Sequence, residues 1–422
     1  MKVLSTLKML GAALAVSAAY SALSVSGNAF AATVTWVGTS CANAPATGDC
    51  NWSTTANWQG GVVPQNGDSV VINADAANPM STQSLPSADI PGLTIADLTV
   101  SSYTTSAPIG GIASTSVGGS SQANKLIITG NITLVAPTAS APSGYYAATT
   151  LVLDNADLTP NKNVTYTNIA QSSGVDTTTL TLGGHTVSFA VDGAQANSST
   201  YSIRAFITGN GTVNINLPIT QTLFLENESN NFTGTLNLNS LDYLTSINDL
   251  TKSIGAAAIN VSSSARILFD ANVAGPVTID NPITVQPPSV TGTFLTNQLE
   301  FWSTGTGNSF TVPNITLLGN ARFGTNTPTG GPVTVNIAGI TTNGHCVQYG
   351  YMNLDASNFA GGPAACSVAV AGNPQRGSVA TPSAPNTGFD LIKANPNVAA
   401  AGIVIAASGL ILAGRKLSSA RR

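Results

Sequence analysis

Apolar and polar residues alternate in short runs along most of this chain of 422 residues. The runs at 126–135, 180–189, 205–215 and 315–323 share one form, in which a Gly-Asn or Gly-Gly pair separates two alternating stretches. Alternation with a period of two is typical of β-strands that bury one face. Gly and Asn supply the backbone conformations that a sharp corner requires. The pattern predicts an all-β chain of short strands joined by tight corners.

The spacing of these corners favours a coiled arrangement of the strands. Gly183, Gly209 and Gly234 follow one another at intervals of 25 or 26 residues. A repeat in the low to middle twenties fits one coil of a β-solenoid, in which Asn side chains of successive coils stack as amide ladders. The same strand–corner–strand pattern also fits hairpins in tandem β-sandwich domains, which remain the alternative.

The composition limits the kinds of partner that the chain can bind. Only 8% of its residues are Asp, Glu, Lys or Arg, against about 25% in ordinary soluble domains. Residues 32–387 contain seven basic and seventeen acidic residues. Because this stretch is acidic, binding to nucleic acid or to an anionic membrane surface is disfavoured.

The N-terminus has the pattern of a secretory signal peptide. Lys2 and Lys8 form a basic start, an apolar stretch follows, and Ala29-Phe30-Ala31 gives the small-x-small pattern of a cleavage site. Cleavage before Ala32 is expected, with an uncleaved N-terminal anchor as the alternative. The chain is therefore predicted to be exported.

The C-terminus has the pattern of a membrane anchor. Residues 398–414 are apolar, and a helix of this length rises about 25 Å, the short limit for crossing a bilayer. The basic residues in 415–422 favour the cytoplasmic side, which places the rest of the chain outside. A Pro-, Gly- and Ser-rich segment precedes this span and is expected to act as a stalk.

Pro385, Asn386, Thr387 and Gly388 lie in this stalk, ahead of the apolar span and the basic tail. The arrangement resembles the cell-wall sorting signal of bacterial surface proteins, whose pattern is Leu-Pro-x-Thr-Gly. The resemblance implies that a sortase cuts after Thr387 and joins it to an envelope amine. Ala384 stands where that family has Leu, which leaves a sortase of altered specificity or simple retention by the membrane helix as alternatives.

Three of the four tryptophans, Trp36, Trp52 and Trp58, lie near the start of the mature chain, followed by a Pro-x-x-Gly-Asp turn. This segment resembles the start of autotransporter-type passenger domains, and 230–238 resembles their Asn-x-Phe-x-Gly repeat. The resemblance implies a right-handed parallel β-helix. The end of a solenoid must be covered, so a tryptophan-rich cap is expected; stacking of these rings on sugars is the alternative.

The four cysteines form two local pairs in the sequence, Cys41 with Cys50 and Cys346 with Cys366. In an exported chain this pattern predicts two disulfides that close short loops. Neither pair has metal-ligand spacing, and the two histidines at 185 and 345 are isolated, so no metal or other cofactor is expected.

Catalytic patterns are not found in the sequence. The neighbouring acids Asp154 and Asp157, and likewise Glu226 and Glu228, are predicted to have no nearby basic partner and are interpreted as solvated surface groups. No nucleophile elbow, metalloprotease helix or phosphate-binding loop is present. The chain is therefore predicted not to be an enzyme.

These observations predict a segmented surface protein. The predicted segments are a signal peptide (1–31), a Trp-rich cap (32–75), a β-solenoid body (76–370), a stalk with the sorting motif (371–397), a transmembrane helix (398–414) and a cytoplasmic basic tail (415–422). The leading hypothesis is an adhesin-like or structural protein held by the cell wall or membrane, with an envelope sortase as partner and an unidentified surface ligand. The alternatives are a carbohydrate-binding module or polysaccharide-degrading enzyme on the same scaffold, and a surface-layer component that associates with itself.

Overall fold

The fold is known from a computed structural model, which describes part of the chain. The residues described are 31–38, 50–73, 87–101, 103–104, 114–135, 146–147, 150–169, 178–191, 200–217, 222–225, 227, 229–245, 253–263, 265–271, 275–287, 298–303, 309–326, 333–349, 359–363 and 365.

Short strands dominate these residues. In chain order they are β1 (Thr33–Trp36), β2 (Ser69–Asn73), β3 (Ser87–Ala88), β4 (Thr94–Ile95), β5 (Leu98–Ser101), β6 (Tyr103–Thr104), β7 (Ser114–Gly119), β8 (Leu126–Ile128), β9 (Ile132–Leu134), β10 (Tyr146–Ala147), β11 (Thr150–Asp154), β12 (Ala156–Leu158), β13 (Val164–Thr167), β14 (Thr179–Thr181), β15 (Thr186–Ala190), β16 (Thr200–Ile203), β17 (Phe206–Thr208), β18 (Thr212–Asn216), β19 (Thr222–Leu225), β20 (Thr235–Thr245), β21 (Ala258–Val261), β22 (Ala265–Ala271), β23 (Pro276–Thr278), β24 (Ile283–Val285), β25 (Leu299–Ser303), β26 (Ser309–Val312), β27 (Ile315–Leu317), β28 (Ala321–Asn326), β29 (Thr334–Ile337), β30 (Ile340–Thr341), β31 (Val347–Tyr349) and β32 (Phe359–Ala360). Two 3-10 helices, Thr55–Asn57 and Gln59–Gly61, lie between β1 and β2.

The strands form long parallel sheets. Sheet A has the order β1-β2-β5-β9-β13-β15-β18-β20-β21-β24-β27-β30. Sheet B has the order β16-β19-β20-β22-β25-β28-β31, so that β20 belongs to both sheets. Three shorter parallel sheets are β3-β7-β11, β4-β8-β12-β14-β17 and β23-β26-β29-β32. The small β6-β10 pair is antiparallel.

The chain visits these sheets in a repeating cycle. For example, β25, β26 and β27 are followed by β28, β29 and β30, and each strand of the second set pairs in parallel with its counterpart in the first. This arrangement is compatible with the predicted β-solenoid. It contradicts the alternative of tandem β-sandwiches for these residues, because the sheets of a sandwich are antiparallel.

Successive coils differ in length. Hydrogen bonds between corresponding corners of neighbouring coils join residues 36 and 28 positions apart near the N-terminus. Further along, bonded corner residues are 34 and then 23 positions apart, and bonded residues within β15 and β18 are 26 positions apart. The predicted repeat in the low to middle twenties is confirmed for the middle of the body, while the first coils are longer.

Alternate residues of each strand point their apolar side chains inward, and these side chains form the core. One continuous inward row on sheet A runs through Val164, Val187, Val213, Leu236, Ile259, Ile283 and Ile315. All of these residues are buried, and they belong to a single apolar cluster with the inward residues of the other sheets. Each coil packs its apolar face against the other sheets and against the coils beside it, so the stack is the unit of stability.

Outward residues on sheet A form the amide ladder that the composition predicts. The Asn237 side-chain nitrogen donates to Oδ1 of Asn214 at 2.8 Å, and Asn260 donates to Oδ1 of Asn237 at 2.7 Å. Asn214 in turn donates to the Ser188 hydroxyl at 3.2 Å. Hydrogen bonds in such a chain polarise one another and fix the register of neighbouring coils.

Side chains at the corners hold the coils together as well. Asp97 Oδ1 accepts from the backbone N–H of Asn131 at 2.7 Å, and Asn131 Oδ1 accepts from the N–H of Thr165 at 2.9 Å. Asn230 bridges two coils, since its Oδ1 accepts from the N–H of Ile207 and its amide donates to the carbonyl of Ser253. These bonds satisfy backbone groups that the short strands leave unpaired.

The corner glycines serve two different purposes. Gly183 and Gly209 have φ values of 59° and 84°, the left-handed conformation expected of a corner glycine. A Cβ at Gly234 would overlap the carbonyl oxygen of Gly211 in the coil before it. Gly234 is therefore required by close approach between coils, which its spacing in the sequence did not reveal.

The two ends of the chain remain predictions. Residues 1–30, which hold nearly all of the predicted signal peptide, and all residues from 366 onward lie outside the described residues. Within the described part, no helix is long and apolar enough to cross a membrane.

The ladder gives a first test. Asn237→Asp removes the amide that donates to Asn214 and brings a carboxylate against its carbonyl oxygen, so the free energy of unfolding should fall by about 1–3 kcal/mol. Urea unfolding at neutral pH measures this change. Asn336→Asp on β29, where the side chain is exposed, is the matched control and should cost much less. Equal losses for both variants would show that the ladder contributes no stability.

Candidate functional site

The three N-terminal tryptophans form a buried group beside the first strand of sheet A. Trp36, Trp52 and Trp58 are at most 2% exposed. The Trp58 ring meets Trp36 and Trp52 edge-on, with ring centroids 5.0 and 5.3 Å away, and its Nε1 donates to the Trp52 carbonyl at 2.7 Å. Rings buried in this way pack the end of the core, and they cannot stack on a sugar as the sequence alternative proposed.

The outer surface of sheet A is polar and uncharged. Along its central row the chain places Thr165, Ser188, Asn214, Asn237, Asn260, Thr284, Thr316 and Thr341 at successive register positions. We call this the polar row. Strands in a sheet are about 4.8 Å apart, so the row presents hydroxyl and amide groups at a regular interval. It can contact a partner by many weak hydrogen bonds.

A second group of side chains lies on the outer face of sheet B. The inward residues of β22, β25 and β28 are apolar and buried, including Ile267, Leu299 and Phe323. Side chains alternate across a strand, so the intervening residues point outward. The polar residues Arg266, Glu300, Trp302, Arg322 and Gln348 hold such positions, and with Gln298, directly before β25, we call them the outer polar cluster. Leu268 and Asp270 hold the other outward positions of β22.

Arg266 and Glu300 form an ion pair at the base of this cluster. The Arg266 Nη1 donates to Glu300 Oε2 at 3.2 Å, and the two side chains are only 19% and 11% exposed. An ion pair shielded from water in this way is strongly coupled, because either charge alone would lose solvation without compensation.

Arg322 occupies a different position in the cluster. Its Nε donates to Gln348 Oε1 at 3.1 Å, and its backbone N–H donates to Gln298 Oε1 at 3.3 Å. No carboxylate among the described residues lies within salt-bridge distance of Arg322. Partial burial lowers the pKa of its guanidinium, because desolvation penalises the charged form.

Trp302 lies further along the same outer face. It is half-buried, and its Nε1 is shielded from solvent without a hydrogen-bond acceptor among the residues that the structure describes. A buried indole N–H normally finds a partner. The indole nitrogens of Trp36 and Trp52 in the cap are shielded in the same way, so this state is not peculiar to the outer polar cluster.

The acidic residues singled out from the sequence behave differently from one another. Asp157 pairs with Lys125 at 2.8 Å, which corrects the prediction that it has no basic partner. The two side chains lie opposite each other because β8 and β12 are adjacent, although they are 32 residues apart. Asp154 is half-buried rather than solvated, and burial raises the pKa of its carboxyl. Glu226 and Glu228 lie outside the described residues.

The remaining predicted positions are tested only in part. Cys50 and Cys346 are both disulfide-bonded. Cys41 and Cys366 lie outside the described residues, so the pairing of the cysteines remains a prediction. The sorting motif, Pro385 to Gly388, also lies outside them. Within the described residues, no group of His, Cys, Asp and Glu is arranged to hold a metal ion.

The outer polar cluster was missed because its members are far apart in the sequence. Arg266 and Glu300 are 34 residues apart, whereas the glycine spacing indicated a repeat of 25 or 26. A sequence search for pairs at that spacing would have skipped this contact. One feature of the sequence could have indicated this cluster. Residues 266–322 contain two of the three arginines that the structure describes, together with the fourth tryptophan.

Comparison with protein-family models, with curated proteins and with solved structures found no match to this chain.

The ion pair gives a second test. Glu300→Gln removes the carboxylate from a shielded contact with Arg266, so the free energy of unfolding should fall by on the order of 3 kcal/mol. Asp157→Asn breaks the more exposed pair with Lys125 and should cost at most about 1 kcal/mol. Thermal and urea unfolding of both variants compare the two changes. A smaller loss for Glu300→Gln than for Asp157→Asn would show that the more buried ion pair does not contribute more to the stability of the fold.

Proposed function

We propose that this chain is an exported surface protein whose β-solenoid body is displayed outside the cell and held to the envelope by the C-terminal tail. We take the coils to be right-handed, because connections between parallel strands are almost always right-handed. The body acts by contact, as an adhesin-like or structural component, and it performs no catalysis.

The observation that carries this proposal is the oxidised state of the cysteines. Cys50 and Cys346 are both disulfide-bonded, near opposite ends of the described body. Disulfides persist in oxidising compartments outside the cytoplasm. This agrees with the signal peptide and the anchor predicted from the sequence.

The polar row supports a role in contact. It consists of uncharged side chains at a regular interval, and several of them are already bonded to the next coil. Such a surface gives weak contacts individually, and many displayed copies acting together give strong attachment.

The same surface supports a second candidate function, a self-assembling surface-layer component. Copies of a surface without charge do not repel one another, so two polar rows can meet face to face. A concentration-dependent increase in particle size of the purified protein would favour this candidate over an adhesin that binds another molecule.

The C-terminus recovered from the envelope of the native cells tests the anchor. Mass spectrometry should find a chain that ends at Thr387 and carries an additional mass from the envelope. The matched variant Thr387→Ala should keep residues 398–414, because the cleavage motif is lost. A wild-type chain that retains its tail would contradict sortase attachment and would support a plain membrane anchor.

A further inference from the structure

We propose that removal of the signal peptide completes the N-terminal end of the fold, because the new α-ammonium group of Ala32 forms an ion pair with the carboxylate of Asp68. This inference rests on the proposed function, since it requires export and cleavage between Ala31 and Ala32. It gives the cleavage a structural role, which is to supply a positive charge to a shielded carboxylate of the cap.

The first argument is the position of the Ala32 nitrogen. It donates to Asp68 Oδ1 at 2.8 Å, and the Ala32 carbonyl accepts from the N–H of Ser69 at 2.8 Å. Ala32 directly precedes β1, in which Thr33 lies opposite Ser69. These contacts hold the nitrogen beside the carboxylate, so an amine made there by cleavage lies within reach of Oδ1.

The second argument is the state of Asp68. It is only 7% exposed, and its Oδ2 accepts from the backbone N–H of Gln65 at 2.8 Å. Among the residues that the structure describes, no Lys or Arg lies within salt-bridge distance of this carboxylate. A shielded carboxylate is stabilised by a cation more than by a neutral N–H alone. The ammonium of Ala32 is placed to be that cation.

Other corners show what a neutral contact requires. Asn131 and Asn320 each accept a backbone N–H of the following coil through Oδ1, so an uncharged amide is sufficient for this role. The corner carboxylate of Asp97 has a cation nearby, since Lys162 Nζ lies 3.7 Å from its Oδ1. Asp68 therefore differs from the Asn corners by its charge, and from Asp97 by the lack of a lysine.

The cleavage itself is a hydrolysis by a signal peptidase. The C–N bond between Ala31 and Ala32 breaks, water gives its hydroxyl to the Ala31 carbonyl carbon, and a proton goes to the nitrogen of Ala32. An α-amino group has a pKa of about 7.7–8.0, so this amine takes up a further proton at neutral pH. Both alanines are exposed, so the leader can be removed without disturbing the core.

The ion pair acts on the cap through β1. This strand is the outermost strand of sheet A and pairs with β2. It carries Trp36, whose ring packs edge-on against Trp58 at 5.0 Å. An ion pair at the start of β1 opposes its separation from β2, so the cap reaches its full stability only after the leader has been removed.

The test compares two forms of the chain that both extend to Arg422, in the same detergent. The processed form begins at Ala32, and the extended form keeps residues 28–31, so that Ala32 retains a neutral peptide N–H. Urea unfolding at pH 6.5, followed by tryptophan fluorescence, measures the unfolding equilibrium constant. This constant should be about three- to tenfold smaller for the processed form, because a charge-assisted contact is added in a shielded place.

Two variants separate the ion pair from other effects of the extension. In Asp68→Asn the processed and extended forms should unfold alike, since the carboxylate is gone. Asp89→Asn is the matched control, because Asp89 is another carboxylate near the cap that accepts a backbone N–H, from Ser53. It should keep the full difference between the two forms.

A chemical variant keeps the test decisive if Asp68→Asn does not fold. Acetylation of the α-amine of the processed form restores a neutral N–H at Ala32 while Asp68 is kept. The acetylated form should unfold as the extended form does.

The inference is overturned if the processed and extended forms are equally stable, or if their difference persists in Asp68→Asn or after acetylation. The N-terminal mass of the chain from native cells tests the cleavage separately. A chain that begins at Ala32 supports its role, whereas a chain that keeps residues 1–31 would overturn that role. The envelope anchor is decided independently, by the mass of the C-terminus.

Discussion

The described part of the chain depends on the hydrogen bonding of each coil to the coil before it and the coil after it. Parallel strands in register exchange backbone hydrogen bonds with both neighbours, and a shift of one residue would turn the apolar face outward. A single coil buries little apolar surface by itself, so its stability comes from the interfaces on its two sides. The sequence must therefore hold the register at every coil despite coil lengths that vary from 23 to 36 residues.

Short polar side chains meet this demand where long charged ones could not. Asn and Asp at the corners accept backbone N–H groups of the neighbouring coil, and the ladder through Asn214, Asn237 and Asn260 joins coil to coil across sheet A. A Lys or Glu at these positions would repel its copies in the adjacent coils and would not reach the same partners. The low charge of the chain is thus a consequence of how its coils are joined. Some of the few charged groups lie in pairs, such as Arg266 with Glu300.

The general form of this fold could be predicted from the sequence, because alternation and corner glycines act locally. The spacing of Gly183 and Gly209 gave the correct length of 26 residues for the coil between them, and the abundance of Asn indicated a ladder. Gly234 instead corresponds to Gly211, because the next coil is 23 residues long. The position of Arg266 beside Glu300 could not be predicted in the same way, since it depends on the length of the segment inserted between β22 and β25. Asp157 was misjudged for a related reason, because its partner Lys125 lies one long coil earlier.

The proposed role requires that this body of joined coils lies outside the cell. Protease treatment of intact native cells, followed by mass spectrometry of the released peptides, measures whether it does. Peptides from the body, such as those flanking Lys125, Arg204 and Arg322, should be released by trypsin while a cytoplasmic marker protein stays intact. Release of these peptides only after the cells are lysed would contradict it.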